Sequence, residues 1–429
     1  MRLDKAGKKF LFFIVALSAY MNEFVFLSWD TFMDGKCRIF VVLLRHLGWI
    51  SILLYSLFHI KECAVSINHI VLIIALLCTG FITCNAGNNQ SVFSLGYIIA
   101  ISILLSAIIL KKDMQIIFDY MLKIFAIVVI PGLLYYLITV IGRVNLSYTT
   151  LESSQETKSL YGLFYEYRPL GLIARYKWYD ITPRYCGVFD EPGVVGTFAG
   201  LFFAAIFGKR RYNKWAMLIF IEGFFTFSLA FFLMVFISFL IYIIHLGFVK
   251  TSICLLLFAA MVVFFFTYHF ESEQLQQLQS RFDFTSFMFF KDNRTNDAFD
   301  KFYKDMFNGN MTTILFGYGN GYAETDAVLS GSYSYKNLIV DYGIIGGGLY
   351  IIFPLLVMLL KSGINKKSVA FCIAFMVSIY QRPYVLTQQY LLLLFSALSY
   401  LDETPSNPFH SRRKRLIGEK HLRVARGNG

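Results

Sequence analysis

Residues 190–250 read DEPGVVGTFAGLFFAAIFGKRRYNKWAMLIFIEGFFTFSLAFFLMVFISFLIYIIHLGFVK. Three apolar runs, 190–207, 214–228 and 230–247, follow one another with short connections. The first connection carries Lys209, Arg210, Arg211 and Lys214, and Lys250 closes the third run. Phe, Leu, Ile, Ala and Gly fill these runs all round the helical wheel. A helix of that kind belongs in a large core or in lipid. About 20 such residues cross one hydrocarbon core, and clustered Lys and Arg in short loops mark the cytoplasmic side.

The same pattern extends in both directions. Further apolar runs cover 10–28, 39–59, 67–84, 92–110 and 117–141 upstream, and 251–270, 337–360, 368–381 and 385–401 downstream. The 429-residue chain is 57% hydrophobic and 15% charged, against about 45–50% and about 25% in soluble proteins. A soluble enzyme, a secreted disulfide scaffold and a disordered chain are excluded. The expectation is an all-α polytopic membrane protein of about twelve transmembrane helices. Its parts are 1–141 (helices one to five), 142–189 (a loop), 190–270 (helices six to nine), 271–336 (a second loop), 337–401 (helices ten to twelve) and a basic tail, 402–429. No small-residue cleavage site follows the first run, so it does not read as a cleavable signal peptide.

Placing the N-terminus in the cytoplasm puts Lys61, Lys111, Lys112, Lys209, Arg210, Arg211, Lys214, Lys250, Lys361, Lys366, Lys367 and the tail cluster from Arg412 to Arg426 inside. The short outer connections then hold Lys36, Arg38 and Arg382. Both termini are therefore expected inside. The net charge of +12 reads as a topology signal that touches anionic lipid, not as a nucleic-acid arm. Both long connections fall outside, and long loops are often functional. The seven Cys are scattered without metal-ligand spacing and read as small buried hydrophobes. No His lies inside either outer loop, so zinc sites and His-based triads are not expected there.

Loop 142–189 is rich in Tyr and Arg, including Arg168, Arg175, Tyr176, Trp178, Arg184 and Tyr185. Tyr and Trp suit sugar stacking or the bilayer interface, and Arg suits phosphate oxygens. Loop 271–336 holds Arg281, Arg294 and an amphipathic helix with Phe299, Phe302, Tyr303, Met306 and Phe307 on one side. Thr295 or Asn296 caps its start, Asn308-Gly309 ends it, and it lies in the membrane interface or packs over the bundle. Phe316-Gly-Tyr318-Gly-Asn-Gly321-Tyr322 follows, a tight loop with the makings of an anion nest, and then Glu324 and Asp326. Ionisable Glu23, Arg45, His46 and Glu222 fall within apolar runs, where such groups face the bundle interior. Arg45 either lines an outward cavity or pairs with Glu23.

The segment Arg184-Tyr-Cys-Gly187-Val-Phe189-Asp-Glu191-Pro192 resembles the Arg-x-x-Gly-x-Phe-x-Glu-Pro segment of Wzy-type O-antigen polymerases and of the related ligases. Ser332-Tyr333-Ser-Tyr-Lys-Asn-Leu-Ile-Val-Asp341-Tyr-Gly343-Ile-Ile-Gly346 resembles their second signature. The ligases usually open that signature with a His, thought to be catalytic, where this chain has Ser332 and Tyr333, which favours the polymerase. Paired Arg-x10-Gly motifs of some polymerases are absent. The resemblance implies a GT-C-like glycosyltransferase of the bacterial inner membrane, without cofactor or metal. It would join oligosaccharide repeat units carried on undecaprenyl diphosphate, on the periplasmic face and with inversion. A chain-length regulator and a flippase are partners by family inference.

Candidate catalytic residues are Glu191 as base and Arg184, Arg281 and Arg294 as countercharges for the diphosphate. Arg168, Arg175 and Arg45 stand behind these, with Tyr185, Trp178, Tyr318, Tyr322, Ser332, Tyr333, Glu324 and Asp326 as substrate contacts. Glu191-Pro192 is equally an ordinary helix start, and Gly196/Gly200 and Gly343/Gly347 read as helix packing. A ligase delivering the glycan to lipid A core, and a flippase or transporter, are the alternatives.

Overall fold

The computed structural model describes residues 5–20, 36–59, 109–152, 163–168, 171–177, 183–243, 295–319, 321–325, 334–382 and 387–402, together with scattered positions between 70 and 74, between 251 and 279, and at 329. The runs 67–84 and 92–110 lie essentially outside them, and 251–270 is described at about half of its positions. Among the described residues, two helices are long and apolar enough to cross a membrane. One is α3 (Lys111–Tyr136), prolonged by a π-turn over Leu137–Ile141. The other is α10 (Tyr335–Lys361). Around them stand α1 (Lys5–Ser18), α2 (Lys36–His59), α4 (Pro192–Ile206), α5 (Asn213–Phe224), α6 (Leu229–Ile243), α11 (Lys366–Gln381) and α12 (Gln388–Leu401).

Helix α3 forms the axis of the bundle and packs against α1, α5, α12 and the sheet described below. Its Met114, Ile117, Phe118, Met121, Leu122, Phe125, Ala126 and Val129 are fully buried. Phe125 meets Phe189, Phe198 and Phe202 at ring-centroid distances of 5.9, 6.1 and 5.4 Å, within the range where aromatic pairs add to area burial. Gly196 and Gly200 of α4 are packing glycines, as expected. A Cβ at Gly196 would lie 2.4 Å from the Ser228 Cβ, and one at Gly200 2.7 Å from the Met234 sulfur.

One end of the bundle gathers the basic connections. Lys8 pairs with Asp113 at 2.8 Å and Lys111 with Asp402 at 2.8 Å. Lys209 donates to the Tyr400 carbonyl at 3.3 Å and lies 3.7 Å above that ring. Asn365 donates to the Leu401 carbonyl. Residues far apart in sequence thus share one rim.

The opposite end departs from the all-α expectation. Residues 149–187 contain a four-stranded antiparallel meander, β1 (Thr149–Glu152), β2 (Leu163–Arg168), β3 (Gly171–Tyr176) and β4 (Arg184–Gly187), in that order. The Tyr, Ile, Leu and Thr of this loop are strand formers on a half-buried pleat. One face places Leu163, Tyr165, Leu172, Ala174 and Cys186 in a small apolar cluster, while Ile173 and Tyr185 join the main core. The sheet docks on the end of α3 through glycines. A Cβ on Gly132 would lie 2.8 Å from the Gly187 Cα and 3.4 Å from the Gly171 Cα.

Helix α5 is 12 residues long, about 18 Å at about 1.5 Å per residue, against a hydrocarbon core of about 30 Å. The run 214–228 is therefore short for a straight crossing of such a core. It ends in a turn where Phe227 takes φ +47°.

The run 337–360 is also interrupted. Gly343 breaks α10 with φ +67° and ψ −175°, a conformation open essentially to Gly alone. The half-helix Tyr335–Tyr342 folds back on the remainder. A Cβ on Gly347 would lie 3.2 Å from the Leu338 carbonyl, and Tyr342 stacks on Tyr350 at 5.1 Å. In a straight helix, residues eight apart are separated by about 12 Å. Gly343 is thus a corner, not a helix-packing glycine as the sequence suggested.

The amphipathic helix is present as α7 (Asp297–Met306), capped by Asn296, whose side chain accepts from the Phe299 N–H at 2.7 Å. Its Phe299 and Met306 are buried against Ala323, Leu329 and Val340. Of the two settings expected for its apolar face, packing on protein is the one observed. Two short helices follow, α8 (Met311–Phe316) and α9 (Tyr322–Thr325).

Candidate active site

The residues of the first signature have local reasons to be where they are. Arg184 opens β4 and donates to the Thr226 carbonyl at 3.0–3.2 Å and to the Phe227 carbonyl at 3.3 Å. It thereby satisfies carbonyls just past the end of α5, in the turn where Phe227 takes a positive φ. Between the pairs Ile173–Tyr185 and Leu172–Gly187 the register shifts, leaving Cys186 as an extra residue, and Gly187 takes φ +63°. Such a bulge bends a strand and ends its pairing. The bend sends Phe189 into the aromatic core and brings the chain to Glu191.

Glu191 is the N-cap of α4 and Pro192 occupies its first turn, so the helix-start reading holds. The Glu191 side chain, however, makes no capping hydrogen bond. Its carboxylate is ion-paired instead with the guanidinium of Arg382, just beyond the end of α11. Arg382 is 5% exposed, and Gly193 makes room for it. A Cβ there would lie 2.6 Å from Nη2 of Arg382. The positive ends of a helix dipole and of a planar guanidinium both favour negative charge at this point.

Arg382 was counted by sequence only as an outer basic residue. The signal that marks it is an isolated Arg before Pro383, between two apolar runs.

The second signature reaches the same end of the bundle. Tyr335, at the start of α10, stacks on Tyr380 at 5.2 Å, two residues before Arg382. Ser334 caps α10, accepting from the Lys336 N–H, while the Asn337 side chain accepts from the Ser334 N–H. Lys336 pairs with Asp300 of α7 at 2.7 Å. The glycine loop closes on Asp341, whose carboxylate accepts from the Gly321 N–H at 3.0 Å and the Ala323 N–H at 3.1 Å. Tyr318 and Gly319 donate to the Val340 and Asp341 carbonyls. The anion nest expected of this loop is therefore filled by a carboxylate of the chain itself.

Several expected contacts take structural roles. Tyr185 is fully buried and donates its hydroxyl to the Val129 carbonyl at 2.6 Å, which corrects its assignment as a substrate contact. Burial pushes its phenol well above the usual range, and the Glu222 charge adds to that. Tyr165 likewise donates to the Asp190 carbonyl at 2.7 Å. Arg175 pairs across strands with buried Glu166 at 2.5 Å. Tyr318 and Tyr322 stack on each other at 4.8 Å, with Phe302 against both.

Arg45 lies on α2, Arg168 ends β2 and Glu324 lies on α9, with side chains outside the described structure. Trp178, Arg281, Arg294, Asp326, Ser332 and Tyr333 lie outside the described residues altogether, as does Glu23. Glu222, flagged as an ionisable group in an apolar run, is fully buried on α5, and neither carboxyl oxygen has a hydrogen-bond partner among the described residues. Cys186 and Cys372 are free and buried. Burial also pushes the Cys186 thiol far up, against the lowering effect of Arg184. No family model, curated protein or solved structure matches the chain.

Proposed function

We propose that this chain is a twelve-span glycosyltransferase of the bacterial inner membrane, and that it polymerises oligosaccharide repeat units carried on undecaprenyl diphosphate into a surface polysaccharide. The observation that carries this reading is the Glu191–Arg382 ion pair at the start of α4, seven residues after Arg184 in the same segment and at the end of the bundle opposite the basic rim. Such a pair offers a carboxylate and a planar cation side by side. The resemblance of 184–192 and 332–346 to the polymerase signatures supplies the reaction class.

The acceptor hydroxyl oxygen attacks the anomeric carbon of the donor's reducing-end sugar. The bond from that carbon to the diphosphate breaks, and undecaprenyl diphosphate leaves with the electron pair. Glu191 takes the hydroxyl proton as the C–O bond forms. Arg382 and Arg184, with Arg281 and Arg294 from the second loop, meet the charge that develops on the diphosphate. Attack opposite the leaving group inverts the anomeric centre. The Glu191 carboxylate must exchange Arg382 for the acceptor hydroxyl during the cycle, and the arriving diphosphate is the anion that draws the guanidinium away.

The break in α10 does not argue for a transporter. Discontinuous helices in transporters line a substrate or ion site, whereas the corner at Gly343 is filled by the backbone of Leu315 and Phe316. Surface glycan from cells lacking the gene tests the proposal. Core carrying a single repeat unit is expected. Core without any repeat, with lipid-linked polymer accumulating, would mean a ligase, and single lipid-linked units trapped on the inner face would mean a flippase.

A further inference from the structure

Below the corner at Gly343, α10 carries a stripe of exposed Ile345, Ile352, Leu355 and Leu359 on one helical face, ending at Lys361. From Lys361 back to Gly343 the helix rises about 27 Å at about 1.5 Å per residue, close to the ~30 Å of a hydrocarbon core. With Lys361 at one membrane boundary, Gly343 lies at the other. The segment joining α7 to α8 and the glycine loop is fixed at that level. A Cβ on Gly343 would lie 2.2 Å from the Leu315 carbonyl carbon, and one on Gly317 would lie 2.3 Å from the Asp341 carbonyl oxygen.

This segment leaves a run of apolar side chains largely uncovered, even where one face of the ring is packed, as in Tyr318 against Tyr322 and Phe307 against Tyr303. Phe307 is 41% exposed, Met311 67%, Phe316 45% and Tyr318 41%. Phe316 and the exposed Ile344 flank the backbone contact at the corner, so the apolar belt of α10 continues onto the loop. Helix α7, whose apolar side packs on protein, exposes Asp297, Lys301, Lys304 and Asp305. An apolar side at the acyl boundary and a mixed-charge side above it is the arrangement of an interfacial element.

We infer that residues 307–318 lie in the outer interfacial layer of the bilayer, with Phe307, Met311, Phe316 and Tyr318 among phospholipid chains. This rests on α10 crossing the membrane and not on the proposed reaction. The insertion holds the half-helix 335–342, and with it Ser334, Lys336 and Asp341, at phospholipid headgroup height.

Photo-crosslinking from the full-length protein in phosphatidylethanolamine–phosphatidylglycerol vesicles tests this. p-Benzoylphenylalanine replaces Met311, Phe316, Lys301 or Lys304, one at a time. Irradiation is expected to give phospholipid adducts, read by mass, several-fold more abundant at 311 and 316 than at 301 and 304. Equal yields at all four positions, or no lipid adduct at 311 and 316 in protein that resists carbonate extraction, would overturn the insertion. Protein released by carbonate would overturn the membrane-spanning reading of α10, and the insertion with it.

Discussion

Replacing Arg382 with Met takes away the cation on which the Glu191 carboxylate sits and keeps most of the buried volume. Removing one partner of a buried ion pair costs about 3–5 kcal/mol, because the other charge is left uncompensated. The Glu191 side chain is 23% exposed and that of Arg382 is 6% exposed, so the two single changes should not cost the same. Water can reach the orphaned carboxylate in R382M, which lowers the cost to about 2 kcal/mol, whereas Glu191→Gln strands a nearly dry guanidinium at about 3 kcal/mol. The double variant leaves no lone charge, so it should cost only about 2 kcal/mol, a coupling of about 3 kcal/mol. Thermal midpoints of the detergent-solubilised proteins, read by size-exclusion of a fluorescent fusion, should therefore rank wild type above R382M and the double variant, with E191Q lowest. All three should lose long polymer on a surface-glycan gel. A double variant that melts at the sum of the two single losses would refute the pairing, and a wild-type ladder from R382M would refute its part in the reaction.

Gly343→Ala should abolish membrane-inserted, monodisperse protein. The left-handed φ and a Cβ 2.2 Å from the Leu315 backbone together exceed the 1–3 kcal/mol of ordinary backbone strain, on the order of 4 kcal/mol or more. Fluorescence-detected size-exclusion reads this outcome. Tyr185→Phe should cost about 1 kcal/mol by removing a buried hydrogen bond to a helix carbonyl, yet leave the glycan ladder at wild-type length, since its hydroxyl is spent on Val129. Cys186 should resist N-ethylmaleimide in native protein at pH 8 and react after denaturation, as followed by peptide mass. Its thiol is buried and its pKa is shifted upward, so the reactive thiolate is scarce at pH 8.

Some of the site could be read from sequence because its signals are local. Pro192 after Glu191 marks a helix start by backbone chemistry alone, and α7 appears between Asn296 and Phe307 because caps and apolar spacing act within about four residues. The sheet was legible in principle. Leu163, Tyr165 and Tyr167 alternate with Phe164, Glu166 and Arg168, a period of two hidden by the Tyr and Arg content that drew attention to substrate contacts. Arg382 was not legible as the partner of Glu191, since nothing in its neighbours points to a carboxylate 191 residues away.

The sequence by itself set the expectation of a lipid environment. Apolar runs without a polar face suit lipid, and the basic connections between them converge on one rim in the folded chain, as the Lys8–Asp113 and Lys111–Asp402 pairs show. Tertiary structure alone decided that Arg184 secures the turn after α5 and that Asp341 fills the glycine loop. It also decided that α10 turns a corner at Gly343. These outcomes depend on which backbones approach within van der Waals contact. Hydropathy carries no such information, because it measures transfer from water and not the identity of the neighbour that replaces it.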